Sequence, residues 1–188
     1  RVSAADGTGG YVLGTMHVGD PRVLDVLTRS AAAFTASRRF VLEVDLDAAA
    51  TLKLQQAMFY QDGHRLADLA GADLAEAAAA HLADYGIPLE LGRAMKPWAA
   101  FTTLSMPRGD SALPLDLQLL ARARKLHKEV AALETVDEQL GLFERMSDAR
   151  QLALLRETVC HYTPLQDELE RMVDAYVGGD LAALMLAS

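Results

Sequence analysis

Histidine 17 follows an apolar segment in a pattern that could place it in a ligand site. In Leu13-Gly14-Thr15-Met16-His17, we expect glycine and threonine to let the backbone turn sharply at the end of a strand and present the imidazole above a sheet. The crevice outside strand carboxyl ends is the usual ligand position in open α/β sheets. A neutral imidazole there can bind a metal or transfer protons. The alternative is a loop histidine that only hydrogen-bonds to backbone, since one G-x-x-H pattern is a weak signal.

Glu43 adds a carboxylate in the middle of a second apolar segment, Val41-Leu42-Glu43-Val44-Asp45. Its neighbours favour burial, and a buried carboxylate is costly unless it is paired or bound to a cation. Alternation along a strand places Glu43 and Asp45 on the same face. Two carboxylates beside a histidine that ends a neighbouring strand suit a divalent metal. The alternative is a Glu43 that forms a salt bridge with an arginine at a strand end.

Four further side chains are weaker candidates, each with a structural alternative. Glu134 ends a third predicted strand, and Asp116 lies in the first turn of a predicted helix, where the helix dipole alone favours an acidic residue. Lys96 and Trp98 open another helix and could place a cation and an indole at a pocket rim. More often, a tryptophan at such a position anchors the core.

The elements that would position these residues alternate between strands and helices. We predict a hairpin with its turn at 6–10 and a strand at 11–13, a helix over 21–36 and a strand over 39–45, which together form a strand–helix–strand unit. Phe40-Val41-Leu42 is expected to be buried on both faces. The pattern is helical over 47–107, and a helix near 115–126 precedes a strand over 129–134. We therefore predict a helix-rich α/β (α+β) fold with a small mixed sheet and a largely helical insertion.

Composition excludes several classes of protein. Across 188 residues, 18 Lys and Arg oppose 26 Asp and Glu, and the net charge of −8 argues against nucleic acid as the main partner. The single cysteine, Cys160, rules out an internal disulfide, a multi-cysteine zinc site and an iron–sulfur cluster. No apolar run approaches the roughly 18–20 residues of a transmembrane helix. No signal peptide is visible, and the missing initiator Met indicates a trimmed or processed chain, which leaves a removed export signal open.

Taken in order, the motifs resemble those of the TraB/GumN family, which includes the Tiki proteins. Tyr11-Val-Leu-Gly-Thr-Met-His17 is similar to the family's Y-L-L-G-T-x-H opening, and Val41-Leu-Glu43-Val-Asp45 to its V-x-E-x-D strand. Met95-Lys96-Pro97-Trp98 is similar to its L-K-P-W segment. The blocks that begin at Leu115-Asp116 and at Leu133-Glu134-Thr135 are similar to its later D-x-x-L and L-E-T-x-x-E-Q-L motifs.

This resemblance implies a fold of the erythromycin-esterase/ChaN-like type and a metal-dependent hydrolase, since Tiki members are described as Mn- or Co-dependent proteases. By resemblance, His17 and Glu43 would be catalytic and metal-binding residues, and Glu134 a further metal ligand. Asp45, Lys96, Trp98 and Asp116 would contribute to binding. The cofactor would be Mn or Co, with Zn as an alternative, and the substrate a peptide or small molecule. We expect a bacterial protein, and the sequence leaves its compartment open between the cytoplasm and, if an export signal was removed, the periplasm or cell envelope.

The chain departs from the family pattern in one respect. The family's second G-x-x-H motif, on a later strand, has no match here, so we expect a single domain over 1–188 that lacks its C-terminal segment. Absent strands would leave a sheet edge unpaired, and such an edge can pair with a second copy of the chain. A homo-oligomer is therefore one of the expected partners. Two rivals to the enzyme remain: a non-catalytic member that binds haem, a metal or a protein partner, and a helical adaptor in which His17 and Glu43 are structural.

Overall fold

The computed structural model describes residues 1–3, 5–6, 8–108 and 112–187, and the chain divides into two units. The first unit comprises Arg1–Glu43 and Gly109–Leu133, and the second Val44–Arg108 and Glu134–Ser188. Gly7 in the predicted turn lies outside the described residues. In chain order, the elements are β1 (Val2–Ser3), β2 (Gly9–Gly10), α1 (Pro21–Leu24), α2 (Val26–Arg29), α3 (Ala31–Ala36), β3 (Arg39–Val44), α4 (Ala48–Ala57), α5 (Leu66–Ala70), α6 (Ala72–Leu82), a 3₁₀ helix (Ala83–Tyr85), α7 (Leu89–Arg93), α8 (Pro97–Leu104), α9 (Leu115–Lys125), β4 (Glu129–Glu134), α10 (Val136–Glu144), α11 (Asp148–Cys160), α12 (Tyr162–Gly178) and α13 (Leu181–Ala187).

The predicted helix-rich fold with a small sheet content is confirmed. In the first unit, β1 and β2 pair antiparallel, with Val2 opposite Gly10. β3 pairs with β4, and the Glu129 amide donates to the Arg38 carbonyl at 3.3 Å, so the two strands begin side by side.

The predicted strand at 11–13 is wrong. Residues 11–16 adopt no regular structure, and the side chains of Tyr11, Val12 and Leu13 are exposed. A β-prone sequence forms a strand only where a partner strand accepts its backbone hydrogen bonds. Within the described residues, no strand pairs with this segment.

The helix predicted over 21–36 is divided into three short helices. Its start is confirmed, because Asp20 caps α1 by accepting from the Arg22 amide at 2.7 Å and Pro21 follows at the first helical position. The Ser30 hydroxyl, between α2 and α3, donates to the Val26 carbonyl at 2.6 Å. Such hydrogen bonds from serine to the preceding turn compete with the helical pattern and bend helices.

Buried apolar side chains of the first unit lie in α1, α2, α9 and the loop before α1. They comprise Val18, Val23, Val26, Leu115, Leu119, Leu120 and Ala123. Val18 follows His17 and Leu115 precedes Asp116, so His17 and Asp116 each have a buried neighbour in the sequence.

The second unit is a helical assembly around its own core. The largest fully buried side chains of this core are Leu66, Leu82, Met95, Leu104 and Leu155. α8 packs against α11, and α6 packs against α5 and α7. Among the described residues, every helix is too short or too polar to cross a bilayer.

A buried glutamine fastens α12 to the end of α8 in this unit. The Gln166 amide donates to the Tyr85 hydroxyl at 2.9 Å and to the carbonyl oxygens of Leu104 and Met106 at 3.1 and 3.4 Å. The sequence Thr163-Pro-Leu-Gln166 predicts a capping box, and that prediction is wrong. α12 already begins at Tyr162, so Gln166 lies inside the helix and is free to make these contacts.

Candidate functional site

Two carboxylate side chains of the first unit, those of Glu43 and Asp116, lie beside one imidazole, that of His17. His17 Nε2 lies 3.9 Å from Glu43 Oε2, and His17 Nδ1 lies 3.2 Å from Asp116 Oδ1. The ring therefore lies between two carboxylates, with a different nitrogen facing each one. The sequence motifs predict all three residues as site residues, but they do not predict that Asp116 contacts His17.

The backbone that presents His17 is a loop, so the prediction that this residue ends a strand is wrong. The prediction that the loop requires a glycine at position 14 is also wrong, because the requirement lies at Gly19. A Cβ atom built at Gly14 meets nothing within 4 Å, whereas one built at Gly19 lies 2.1 Å from the backbone oxygen of Ala112. Two pieces of main chain therefore approach each other at Gly19, where a side chain does not fit.

This close approach places Asp116 next to His17. The Leu115 amide donates to the Val18 carbonyl at 3.2 Å, next to the contact between Gly19 and Ala112. Leu115 and Val18 are both buried. Because His17 precedes Val18 and Asp116 follows Leu115, this main-chain contact sets the two side chains beside each other.

Glu43 lies on the open face of β3, and the expectation that it is buried is wrong. The side chains at 40, 42 and 44 are partly shielded and those at 39, 41 and 43 are exposed. The Glu43 side chain is 69% exposed. Alternation along the strand is confirmed, and the face of β3 that carries residues 39, 41 and 43 is exposed. Burial therefore gives Glu43 no need for a cation. Only its short distance from His17 makes it a candidate site residue.

The two carboxylates favour the protonated form of the histidine. Asp116 raises the pKa of His17 above its ordinary value, and the negative charge of Glu43 adds to this effect, while partial burial of the ring opposes it. Asp116 Oδ1 is buried and has no hydrogen-bond partner within the described residues. Its separation from Nδ1 is a hydrogen-bond distance, but the two atoms form no hydrogen bond, and the contact is an ion pair only when His17 is protonated.

The separation of His17 and Glu43 is close to that of two ligands of one cation. Tetrahedral zinc lies about 2.0–2.2 Å from a histidine nitrogen or a carboxylate oxygen, so two of its ligands are roughly 3.4 Å apart. The observed 3.9 Å is longer than this, and a small movement of the exposed Glu43 side chain would bring both donors to one ion. The described residues contain no group of three or more His, Cys, Asp or Glu side chains that could hold an ion. Asp116 faces the opposite ring nitrogen, so the described chain supplies two donors.

The other candidate residues belong to the second unit. Glu134 is the exposed last residue of β4, and Asp45 follows β3 directly and is partly buried. Lys96 precedes α8, where its amide donates to the Met58 carbonyl at 2.8 Å. Trp98 is 6% exposed, and its ring stacks on Phe143 with a centroid distance of 4.7 Å. The indole is thus a core anchor, as in the structural alternative stated for it.

The fold defines a helix-rich α/β protein, and in its first unit the His17 imidazole lies between two carboxylates. The whole chain, residues 1–188, matches the model of the TraB/PrgY/gumN family, and the protein belongs to that family. The resemblance seen in the sequence motifs is therefore confirmed. No curated protein and no solved structure matches the chain.

Proposed function

We propose that this protein is a metal-dependent hydrolase of the TraB/GumN type in which His17 and Glu43 bind one divalent cation. The observation that carries the proposal is the 3.9 Å separation of His17 Nε2 and Glu43 Oε2. Family membership supports it, since the resemblance to Tiki proteins implies Mn or Co, with Zn as an alternative. By the same resemblance, the substrate is a peptide or a small molecule with an amide or ester bond.

A divalent cation supplies the hydrolytic nucleophile by lowering the pKa of water toward about 7. His17 would offer Nε2 to the cation, because Asp116 occupies the Nδ1 side of the ring. Glu43 would offer Oε2 as a second ligand or would accept a proton from water as a general base. Both side chains are more than half exposed, so water and substrate can reach them.

The rival proposal is a non-catalytic member of the family that binds a metal, haem or a protein partner at the same place. The observation in its favour is the number of donors. Catalytic zinc sites use three protein ligands, and the described residues supply two. Binding without turnover would distinguish this rival from the hydrolase.

The test compares metal content and peptidase activity in matched variants. The protein is loaded with Mn, Co or Zn and assayed on a set of fluorogenic peptides, as wild type, His17→Ala and Glu43→Gln. His64→Ala is the control, because the His64 ring also lies 2.9 Å from a carboxylate, that of Asp62, but this exposed pair contains neither His17 nor Glu43.

We expect metal-dependent activity in wild type and in His64→Ala, and a fall of at least about 100-fold in the two site variants. Unchanged metal content and activity in His17→Ala would remove this residue from the site. A wild-type protein that binds metal through His17 but cleaves no peptide or ester would favour the binding member.

A further inference from the structure

We propose that Asp116 is a positioning residue that holds the His17 imidazole with its proton on Nδ1 and its free electron pair on Nε2, facing Glu43. The inference rests on the proposed function only for the statement that Nε2 binds the metal. It gives Asp116 a role in orienting another side chain, whereas the sequence motifs predict it only as a binding residue.

The first observation is a buried carboxylate oxygen without a hydrogen bond. Asp116 Oδ1 is inaccessible to solvent and has no hydrogen-bond partner within the described residues. Leaving such an oxygen unsatisfied is costly, so a donor nearby is expected to serve it. His17 Nδ1, at 3.2 Å, can become that donor through a modest rotation of the ring, and the half-exposed side chain of His17 has room to rotate.

The second observation is that the main chain fixes Asp116 and His17 relative to each other. The hydrogen bond from the Leu115 amide to the Val18 carbonyl joins the residues next to both side chains. Gly19 and Ala112 are in close contact beside this bond. Asp116 itself lies in the first turn of α9, where the helix N-terminus favours its negative charge. The carboxylate is therefore held in place and the ring is the part that can move.

The chemical consequence concerns which ring nitrogen carries the proton. In neutral imidazole, one nitrogen donates and the other accepts. A carboxylate that accepts from Nδ1–H fixes the tautomer in which Nε2 is free to bind a metal. Carboxylates that hold metal-binding histidines in this way typically change metal affinity by about 10–100-fold when they are removed.

Asp62 and His64 provide a matched control within the same chain. Their ion pair is 2.9 Å long, but both side chains are mostly exposed and lie two residues apart on one loop. Water competes for both groups there, so we expect no fixed tautomer at His64. Removing the Asp62 carboxylate should leave the tautomer of His17 unchanged.

The test is nuclear magnetic resonance of the metal-free protein labelled with ¹⁵N-histidine, under conditions in which the rings are neutral. Long-range ¹H–¹⁵N correlations report which nitrogen is protonated. We expect His17 to be protonated on Nδ1 in wild type and in Asp116→Asn, whose amide oxygen still accepts a hydrogen bond. In Asp116→Ala, we expect averaged ring signals, and in Asp62→Ala a His17 signal identical to wild type.

A second measurement separates this inference from the proposed function. Zn²⁺ titration should show about 10–100-fold weaker binding in Asp116→Ala than in wild type. If wild type shows the Nδ1–H tautomer but binds no metal, the positioning role stands and the hydrolase proposal fails. Protonation of wild-type His17 on Nε2, or an unchanged tautomer in Asp116→Ala, would overturn the positioning role. If Asp116→Ala does not fold, the wild-type and Asp116→Asn spectra still decide the question.

Discussion

The close approach of main chain at Gly19 makes Gly19→Ala the most informative single substitution in the first unit. An alanine Cβ would lie 2.1 Å from the carbonyl oxygen of Ala112 and 2.7 Å from its carbonyl carbon. Both atoms belong to the backbone, so no side chain can rotate away to relieve the contact. Restoring an ordinary contact distance requires the two segments to separate by about 1 Å, and overpacking of this kind costs about 1–3 kcal/mol.

Moving the two segments apart should change the geometry of the candidate site as well as lower the stability of the fold. The hydrogen bond between the Leu115 amide and the Val18 carbonyl lies beside the contact and would lengthen with it. Asp116, which follows Leu115, would then move away from His17. We therefore expect Gly19→Ala to weaken the effect of Asp116 on the His17 ring, although neither residue is changed.

The assay is urea unfolding of wild type, Gly19→Ala and Gly14→Ala. Gly14 is the control, because a Cβ there meets nothing within 4 Å and its backbone is not in the left-handed region. Gly14→Ala should be neutral, or stabilising by up to about 1 kcal/mol, through the lower entropy of the unfolded chain. Wild-type stability in Gly19→Ala, or equal destabilisation by both substitutions, would refute the close approach.

Three other predictions concern a helix end, a buried amide and pH. α9 ends in a Schellman motif with His127 in the left-handed region at φ 53°, so His127→Gly should raise the free energy of unfolding by about 1 kcal/mol; an equal or lower urea midpoint would contradict this. Gln166→Leu should cost about 1–3 kcal/mol by the same measurement, because the buried polar groups it serves, including the Tyr85 hydroxyl, lose a donor; a neutral result would show that they need none. The raised pKa of His17 should stabilise the metal-free fold below about pH 6.5 and lose this contribution as pH rises through the folded-state value. Asp116→Asn should flatten this dependence, and identical unfolding free energies against pH in both proteins would contradict it.

Local sequence signals predicted the elements that depend on their own residues. The sequence Thr135-Val-Asp-Glu138 predicts a capping box, and it is present at the start of α10: the Glu138 amide donates to Thr135 Oγ1 at 3.2 Å, and the Thr135 amide donates to Glu138 Oε2 at 2.8 Å. The sequence Gly178-Gly179 predicts a helix end, and α12 ends at Gly178, with Gly179 as its cap at a φ of 71° that favours glycine. Strands over 39–44 and 129–134 also follow their apolar runs.

Features that depend on residues far apart in sequence could not be predicted in the same way. The segment at 11–13 has the composition of a strand, but strand formation depends on a partner that the local sequence does not specify. Glu43 was expected to be buried because its neighbours are apolar, yet exposure is decided by what covers the sheet. The need for glycine at Gly19 arises from Ala112, which a local pattern cannot reveal.

In the candidate site as well, local sequence patterns predicted some residues, and contacts between distant segments could not be predicted. His17 and Glu43 could be selected from their types and motifs, and the structure brings them to 3.9 Å. Asp116 could be named as a site residue only by family resemblance. Its contact with the second ring nitrogen depends on how the start of α9 meets the loop of His17, and this requires coordinates.

The most direct test of a cation shared by His17 and Glu43 is Mn²⁺ titration of the metal-free protein, followed by paramagnetic broadening of its resonances. We predict that substoichiometric Mn²⁺ selectively broadens the signals of His17 and Glu43 in wild type and in His64→Ala. At the end of the titration, each of these chains should bind one ion. The same addition should leave these regions sharp in Glu43→Gln and His17→Ala. Broadening confined to other acidic segments, or equal binding by all four proteins, would contradict a metal site at His17 and Glu43.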